Sequence, residues 1–257
     1  MSKRNTLDQY YTNPEYAAYL CGIIHSKCKT KNFIEPSAGS GAFSKNFESI
    51  TSYDIHPMFD GCIEKDFLSI NPESFPDSLT FVGNPPFGKN SSLAVKFFNH
   101  CAIKCDYICF ILPKTFKTIF FKDKLNSSMH LVFEVDCPDN AFILDGETWD
   151  VPCVFQIWEK SSFQREKTYL KPNKWFIQSN EKDYDIAVRR AGGNAGKVLT
   201  DEDSLTPSST YFLKSRVDNL DIYIRGIYSE LREEASKTAG VRSLSLRELQ
   251  YILDMNY

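Results

Sequence analysis

The chain has no apolar run of the roughly 18 residues that are needed to cross a bilayer. Its first six residues also lack the apolar segment of a secretory signal peptide. Of its 257 residues, 42% are hydrophobic and 25% are charged, which is typical of a globular protein with one large core and room for a small appendage. We therefore expect a cytoplasmic protein without a membrane partner.

Paired metal-ligand motifs are also missing. None of the eight cysteines forms a Cys-x-x-Cys pair. Cys101, Cys105 and Cys109 recur at every fourth residue, but His100 is the only histidine beside them at ligand spacing. Buried free thiols are favoured over a zinc site, and no metal is expected.

The hydrophobic pattern alternates short apolar segments with longer amphipathic ones. Strands are predicted at 32–35, 49–54, 61–65, 79–83, 107–112, 130–135 and 153–159. Helices are predicted at 14–27, 43–47, 91–103 and 117–125. This alternation indicates an α/β sheet with helices on both faces, whose ligands bind at the carboxyl ends of the strands.

A glycine-rich segment, Glu35-Pro36-Ser37-Ala38-Gly39-Ser40-Gly41, follows the first of these strands. Gly39 and Gly41 allow a tight turn that a ligand can approach closely. A dinucleotide-binding turn would have a third glycine where Ser44 stands, which weakens a nicotinamide or flavin interpretation.

Carboxylates end the next two strands. Asp54 lies 19 positions after Glu35 (54 − 35), close to the spacing at which an acidic side chain binds ribose hydroxyls. Asp66 and Phe67 offer an acceptor and a ring for an adenine base. The alternatives are a surface-turn aspartate at 54 and a turn-capping aspartate at 66.

The tetrapeptide Asn84-Pro85-Pro86-Phe87 closes the apolar run 79–83. A carboxamide followed by two prolines and an aromatic ring suits the binding of a flat exocyclic amine. A proline-rich turn is the ordinary alternative.

With these segments the chain resembles the S-adenosylmethionine-dependent amino methyltransferases, specifically the gamma-ordered adenine-N6 group. The glycine-rich segment is similar to that family's cofactor loop, Asn84–Phe87 to its catalytic loop, and Gln9-Tyr10-Tyr11-Thr12-Asn13-Pro14 to the segment that precedes the cofactor loop. The resemblance covers roughly residues 8–159. One departure is Asn13, which separates Thr12 from Pro14 where the family usually has Thr-Pro.

The resemblance implies a Rossmann-like class I methyltransferase fold, with a mostly parallel seven-stranded sheet and helices on both faces. It implies a cofactor-binding catalytic domain at 1–159 and a small α+β substrate-recognition extension at 160–257. The implied S-adenosylmethionine contacts are Tyr11, Thr12, Glu35, Ser37, Gly39, Asp54, Asp66, Phe67 and Asn84. The implied catalytic residues are Asn84, Pro85 and Phe87, and the implied substrate contacts include Pro86 and Lys89.

The reaction places a specific demand on this loop. The exocyclic amine of adenine is a poor nucleophile because its lone pair is delocalised into the ring. The Asn84 side-chain oxygen and the Pro85 carbonyl are expected to accept its two hydrogens and to stabilise the charge that develops on nitrogen. Phe87 is expected to stack on the flipped base, with a core aromatic as the alternative. Lys89 is either a phosphate contact or part of a solvated loop.

Residues 160–200 carry nine Lys/Arg and four Asp/Glu, a balance of +5 in a chain whose net charge is −3. Aromatic residues lie among these cations, as in a groove that follows a nucleic-acid strand: Phe163, Tyr169, Trp175, Phe176 and Tyr184. Arg189, Arg190 and Lys197 flank a glycine-containing loop and are expected to bind phosphates. A solvated face and a flexible hairpin turn are the alternatives.

The sequence is compatible with three functions. An adenine-N6 methyltransferase acting on nucleic acid is favoured, with DNA ahead of RNA because the motif order is that of the DNA enzymes. A protein glutamine methyltransferase has a similar loop that typically ends in tyrosine, so Phe87 and the basic tail count against it. A noncatalytic binding module is disfavoured by the intact Asn84 and glycine turn.

Overall fold

A computed structural model describes residues 10–144 and 146–257. The first six residues, considered above for a signal segment, lie outside the described part. The chain divides into two compact units. The first contains the described residues up to Phe116 together with Phe121–Lys167, and the second contains Lys117–Phe120 and Thr168–Tyr257.

The strands of the described residues are β1 (Tyr11–Thr12), β2 (Asn32–Glu35), β3 (Thr51–Asp54), β4 (Ile63–Glu64), β5 (Leu79–Gly83), β6 (Tyr107–Pro113), β7 (Met129–Asp136), β8 (Phe142–Leu144), β9 (Glu147–Trp149), β10 (Cys153–Lys160), β11 (Phe176–Gln178), β12 (Ile186–Arg189) and β13 (Thr210–Ser215). The α-helices are α1 (Pro14–Lys27), α2 (Ser92–Cys101), α3 (Ile119–Lys122), α4 (Leu220–Gly226), α5 (Tyr228–Ala235) and α6 (Leu246–Asn256).

The main sheet has seven strands in the order β4-β3-β2-β5-β6-β10-β7. The first five are parallel, and β10 runs antiparallel to both β6 and β7. The predicted mostly parallel seven-stranded sheet is therefore confirmed. Because β2, β3 and β5 are parallel, their carboxyl ends meet at one edge of the sheet.

Both faces of the sheet are covered, as predicted. Neighbouring strand residues point to opposite faces, so Ile34 belongs to one core and Phe33 to the other. The core with Ile34 includes Phe97 and Phe98 of α2, whereas the core with Phe33 includes buried residues of α1 such as Leu20.

Helix α1 has the predicted bounds because strong local signals fix its start. The Asn13 side chain accepts a hydrogen bond from the Glu15 N–H at 2.9 Å, and Pro14 occupies the first turn. The segments predicted as helices at 43–47 and 117–125 are shorter than expected. The first contains only a 3₁₀ turn, Ser44–Asn46, and the second contains only the four-residue α3 before it closes in i→i+3 bonds.

A second, three-stranded sheet lies outside the main one in the first unit. Its order is β1-β8-β9, with Tyr11 opposite Ile143 and Phe142 opposite Trp149. The sequence pattern did not predict it, since two- and three-residue strands show no measurable alternation.

The second unit has the predicted α+β composition. Its antiparallel sheet β11-β13-β12 shares a core with α4, α5 and α6. Helices α4 and α5 are separated at Ile227. The aromatic groove is corrected at Trp175 and Phe176, which are each only 3% exposed and belong to this core.

No helix among the described residues is long and apolar enough to span a membrane. All eight cysteines are free, and six of them are buried. Within the described ranges no three His, Cys, Asp or Glu side chains are grouped as metal ligands.

Candidate functional site

A cavity of about 390 Å³ opens where β2, β3 and β5 end, within the first unit. This volume lies in the usual range for small-molecule and cofactor sites. Twelve of the predicted site residues line it: Tyr11, Thr12, Glu35, Ser37, Gly39, Asp54, Asp66, Phe67, Asn84, Pro85, Pro86 and Phe87.

The glycine turn forms the floor after β2. Gly39 and Gly41 have φ values of +50° and +76°, in the left-handed region that favours glycine. A Cβ on Gly39 would lie 3.1 Å from the Tyr11 ring, and one on Gly41 would lie 2.8 Å from the Phe59 ring. The turn therefore needs glycine both for its backbone and for the aromatic rings that pack on it.

Asp54 holds the turn in place. One carboxylate oxygen accepts a hydrogen bond from the Gly39 N–H at 2.7 Å, and the other accepts one from the His56 N–H at 2.8 Å. Each oxygen of a carboxylate has capacity for a second donor, so Asp54 can still bind two hydroxyl groups.

Glu35 is 2% exposed, and burial raises its pKa to about 8. The Ser44 N–H donates to its carboxyl group at 3.0 Å, and the Ser44 hydroxyl also contacts it. Ser44 Oγ lies 2.6 Å from Ser52 Oγ, which ties β3 to the same group. Ser44 stands where a dinucleotide-binding turn would have its third glycine, and its hydrogen bonds connect the glycine turn to the buried Glu35 carboxyl group.

Asp66 and Phe67 have structural partners as well as a place in the cavity wall. The Asp66 side chain accepts from the Leu68 N–H at 3.0 Å, which is the capping role given above as the alternative. The Phe67 ring is buried and stacked between Phe75 and Phe97, with centroid distances of 5.5 and 5.8 Å.

Asn84 is the only residue of the loop Asn84–Phe87 whose side chain carries a polar group, and only part of that group has a hydrogen-bond partner. Its amide nitrogen donates to the Tyr10 carbonyl at 3.1 Å. A carbonyl can only accept, so this bond fixes which end of the carboxamide is oxygen. That oxygen, Oδ1, is buried and has no hydrogen-bond partner among the described residues.

The rest of the loop is held by its backbone. The Ser37 hydroxyl donates to the Asn84 carbonyl at 3.4 Å, which connects the glycine turn to the loop Asn84–Phe87. The Phe87 carbonyl accepts from the Leu93 and Ala94 N–H groups at 3.0 and 3.2 Å and so caps the start of α2. The Phe87 ring is partly buried and packs against both cores of the main sheet.

Four predicted substrate contacts do not line the cavity. Lys89 is exposed and follows the loop Asn84–Phe87. Arg189, Arg190 and Lys197 belong to the second unit, where each has an intramolecular partner. Arg189 donates to the Ser204 carbonyl at 2.8 Å, Arg190 to the Ser208 carbonyl at 3.4 Å, and Lys197 pairs with Asp203 at 2.9 Å.

Sequence reasoning missed several residues of the cavity and its support. Tyr10, His56, Met58 and Lys65 also line the cavity, and Ser44 stabilises its floor. All but Met58 adjoin or lie within a segment that the sequence analysis singled out, so sequence proximity to Tyr11, Asp54 and Asp66 was the available signal. The role of Tyr10 is carried by its backbone carbonyl, which no side-chain pattern indicates.

The chain matches no family model and no curated protein sequence. Several solved structures are similar to part of the chain. One is described as the modification subunit of a proposed type I restriction enzyme from Vibrio vulnificus, with a TM-score of 0.47 and 12% identity over 60% of this chain and 45% of that one. The chain thus spans less than half the length of that protein.

Two further structures have similar coverage of this chain. The 23S rRNA methyltransferase ErmE gives a TM-score of 0.42 and 13% identity over 62% of this chain and 73% of that one. The N-methyltransferase NodS from Bradyrhizobium japonicum, solved with S-adenosylhomocysteine, gives a TM-score of 0.40 and 12% identity over 57% of this chain and 86% of that one.

Proposed function

We propose that this protein is an S-adenosylmethionine-dependent methyltransferase that methylates the N6 amine of adenine in nucleic acid, with DNA ahead of RNA. The observation that carries the proposal is the buried, unpartnered Oδ1 of Asn84 at the wall of the cavity. An unsatisfied buried acceptor costs about 1–3 kcal/mol, so it marks a place where a ligand donor is expected.

The residues around the glycine turn fit the cofactor. A Cβ at Gly39 would narrow the space beside the Tyr11 ring, and the fixed carboxylate of Asp54 has two free acceptor positions for ribose hydroxyls. Asp66 and Phe67 would hold the adenine end, while Tyr11, Thr12, Glu35 and Ser37 would hold the methionine end. When bound there, S-adenosylmethionine supplies an electrophilic methyl group on a sulfonium.

Asn84 and Pro85 would prepare the target amine. Asn84 Oδ1 accepts one amine hydrogen, and the Pro85 carbonyl accepts the other. These contacts favour a pyramidal nitrogen whose lone pair points away from both oxygens. As the nitrogen attacks it becomes cationic, the two oxygens stabilise the charge, and one proton then leaves to solvent.

Phe87 and Pro86 would contact the face of the target base. The Phe87 ring is partly exposed at the cavity, so stacking requires no unfolding of the loop. Stacking contributes about 1–3 kcal/mol per base, which offsets the cost of flipping a base from a duplex. The preference for DNA comes from the order of the motifs, and Lys89 would contact phosphate beside the flipped base.

Asn84→Ala tests the proposal directly. We expect methyl transfer to fall at least about a hundredfold, because one preorganised acceptor for the developing charge is lost. Cofactor affinity should stay nearly unchanged. Radiolabelled methyl transfer to duplex DNA, single-stranded DNA, RNA and protein pools, followed by nucleoside and amino-acid analysis, identifies the polymer and the atom.

Asn32→Ala is a matched control. Its amide nitrogen also donates to backbone carbonyls, those of Asp77 and Ser78, but it stands at the amino end of β2, away from the cavity. Equal activity of wild type and Asn84→Ala would refute the role of Asn84. If the label is found in methylglutamine and in no nucleoside, the substrate is a protein and not a nucleic acid.

A further inference from the structure

One short segment contacts both halves of the candidate site. The Tyr10 carbonyl receives the Asn84 amide hydrogen at 3.1 Å, and the ring of the adjacent Tyr11 packs on Gly39, 3.1 Å from where a Cβ would lie. Two consecutive residues therefore contact the two halves of the site: Tyr10 contacts the catalytic loop, and Tyr11 contacts the glycine turn.

This segment belongs to the small sheet and not to the main sheet. Tyr11 and Thr12 form β1, which pairs with β8 and with no other strand of the described residues, and the Asn13 N–H donates to the Ala141 carbonyl at 2.8 Å. The Tyr10 ring packs against Trp149 of β9 with 6.5 Å between centroids, within the range of favourable aromatic pairs. Trp149 is 42% exposed and does not line the cavity.

We propose that Tyr10 and Trp149 are positioning residues for methyl transfer: the small sheet β1-β8-β9 fixes the Tyr10 carbonyl, which orients the Asn84 carboxamide. This inference rests on the proposed function. It assigns a catalytic purpose to a sheet whose Phe142 also belongs to the core with Phe33.

The physical reason lies in the terminal torsion of asparagine. Rotation about this sp³–sp² bond is broad and weakly restrained, so the carboxamide needs a partner to hold one orientation. With the Tyr10 carbonyl in place, the NH₂ group faces it and Oδ1 is left for the substrate. If the carbonyl moves, the carboxamide can rotate and present its NH₂ group to an amine that needs an acceptor.

Trp149→Ala tests the inference without touching the cavity wall. We expect kcat to fall roughly ten- to hundredfold, as small displacements of catalytic groups do. Trp149→Phe should restore most of the loss because it keeps an aromatic partner for Tyr10. Phe163→Ala is the matched control, since it removes another exposed aromatic ring of the first unit, at a residue that does not line the cavity and whose carbonyl contacts His130 near the amino end of β7.

A double-mutant cycle separates positioning from general damage. In an Asn84→Ala background there is no carboxamide to orient, so Trp149→Ala should lower kcat by less than about threefold further, as coupled residues do. An equal loss in both backgrounds would overturn the inference.

A readout besides activity distinguishes this inference from the proposed function. The Asn84 side-chain amide signal in an NMR spectrum, assigned by its loss in Asn84→Ala, should shift in Trp149→Ala and return toward its original position in Trp149→Phe. If it stays in place in Trp149→Ala, the positioning role is wrong whatever the activity. If it shifts as expected but no polymer accepts a methyl group, positioning stands and the methyltransferase proposal fails.

Discussion

Among single residues, Glu35 shows how the site is built on a group that ordinarily would be charged. Its carboxyl group is buried beneath the glycine turn, and its hydrogen-bond donors come from Ser44. Burial disfavours the ionised form more than these donors favour it, so the pKa is raised to about 8. The neutral form therefore predominates at neutral pH in the free protein.

This shift makes the stability of the first unit depend on pH. An unfolded glutamate has a pKa near 4.3, so between about pH 5 and pH 8 the folded state holds one more proton than the unfolded state. The stabilising contribution is fully present below the unfolded pKa and is lost as the pH rises to about 8. The slope is at most about 1.4 kcal/mol per pH unit.

Glu35→Gln should remove this slope, since glutamine has the same shape and accepts from Ser44 but does not titrate. The measurement is the thermal midpoint of the first unit from pH 5 to pH 8. Glu64→Gln, at an exposed glutamate of β4, should leave the slope as in wild type. A Glu35→Gln protein with the wild-type slope would show that Glu35 is ionised in the folded state.

Among the secondary-structure elements, α6 is the one whose start is fixed most clearly by local sequence. Ser245 accepts from the Glu248 N–H at 3.2 Å, and the Glu248 side chain accepts from the Ser245 N–H at 2.8 Å. This capping box satisfies two backbone donors that the helix itself cannot use. Serine followed by glutamate three residues later, ahead of an apolar segment, is the sequence signature of such a start.

Ser245→Ala should lower the stability of α6 by about 1 kcal/mol, which corresponds to roughly fivefold faster amide exchange in the helix. Ser245→Thr keeps the hydroxyl group and should behave like wild type. Hydrogen exchange followed by mass spectrometry over 246–256 measures the effect. Unchanged exchange in Ser245→Ala would mean that packing of Leu249 and Leu253 alone decides the stability of α6.

The strands of the main sheet could be predicted from the sequence, whereas the short strands β1, β8 and β9 could not. Runs such as Leu79–Gly83 are buried on both faces and read as continuous apolar segments, so their bounds were predicted correctly. Strand β1 pairs with a distant part of the chain, with Tyr11 opposite Ile143, whereas β8 and β9 are close in sequence but only three residues long each, so none of the three leaves a clear hydrophobic pattern. The cavity residues were found because parallel strands bring their carboxyl ends together, while the Tyr10 contact was missed because it is made by a backbone atom.

At the scale of the whole molecule, charge is distributed less simply than the balance of +5 over residues 160–200 suggested. Several of these cations are engaged within their own unit. Thr200 and Lys197 lower the pKa of Asp203 to about 2, so the Lys197–Asp203 pair remains charged down to low pH. Arg190 lies 5.8 Å from the Tyr211 ring and donates to the Ser208 carbonyl at 3.4 Å, a longer contact than those of Arg189 with Ser204 and of Lys197 with Asp203.

The salt dependence of nucleic-acid affinity tests whether the second unit binds phosphates. If Arg189 and Arg190 neutralise phosphates, then Arg189→Gln combined with Arg190→Gln should weaken binding at low salt and reduce the slope of log K against log salt by up to about 2. Glutamine can still donate to the backbone carbonyls that these arginines contact, which preserves the loop.

The matched control is Arg225→Gln with Arg232→Gln, which removes the same charge from exposed positions of α4 and α5. Counterion release counts only those cations that touch phosphate, whereas a change in net charge acts on both pairs alike. An equal reduction of slope in the two double variants would therefore assign the effect to overall charge. A selective reduction for Arg189 and Arg190 would instead identify their loop as a phosphate-binding surface.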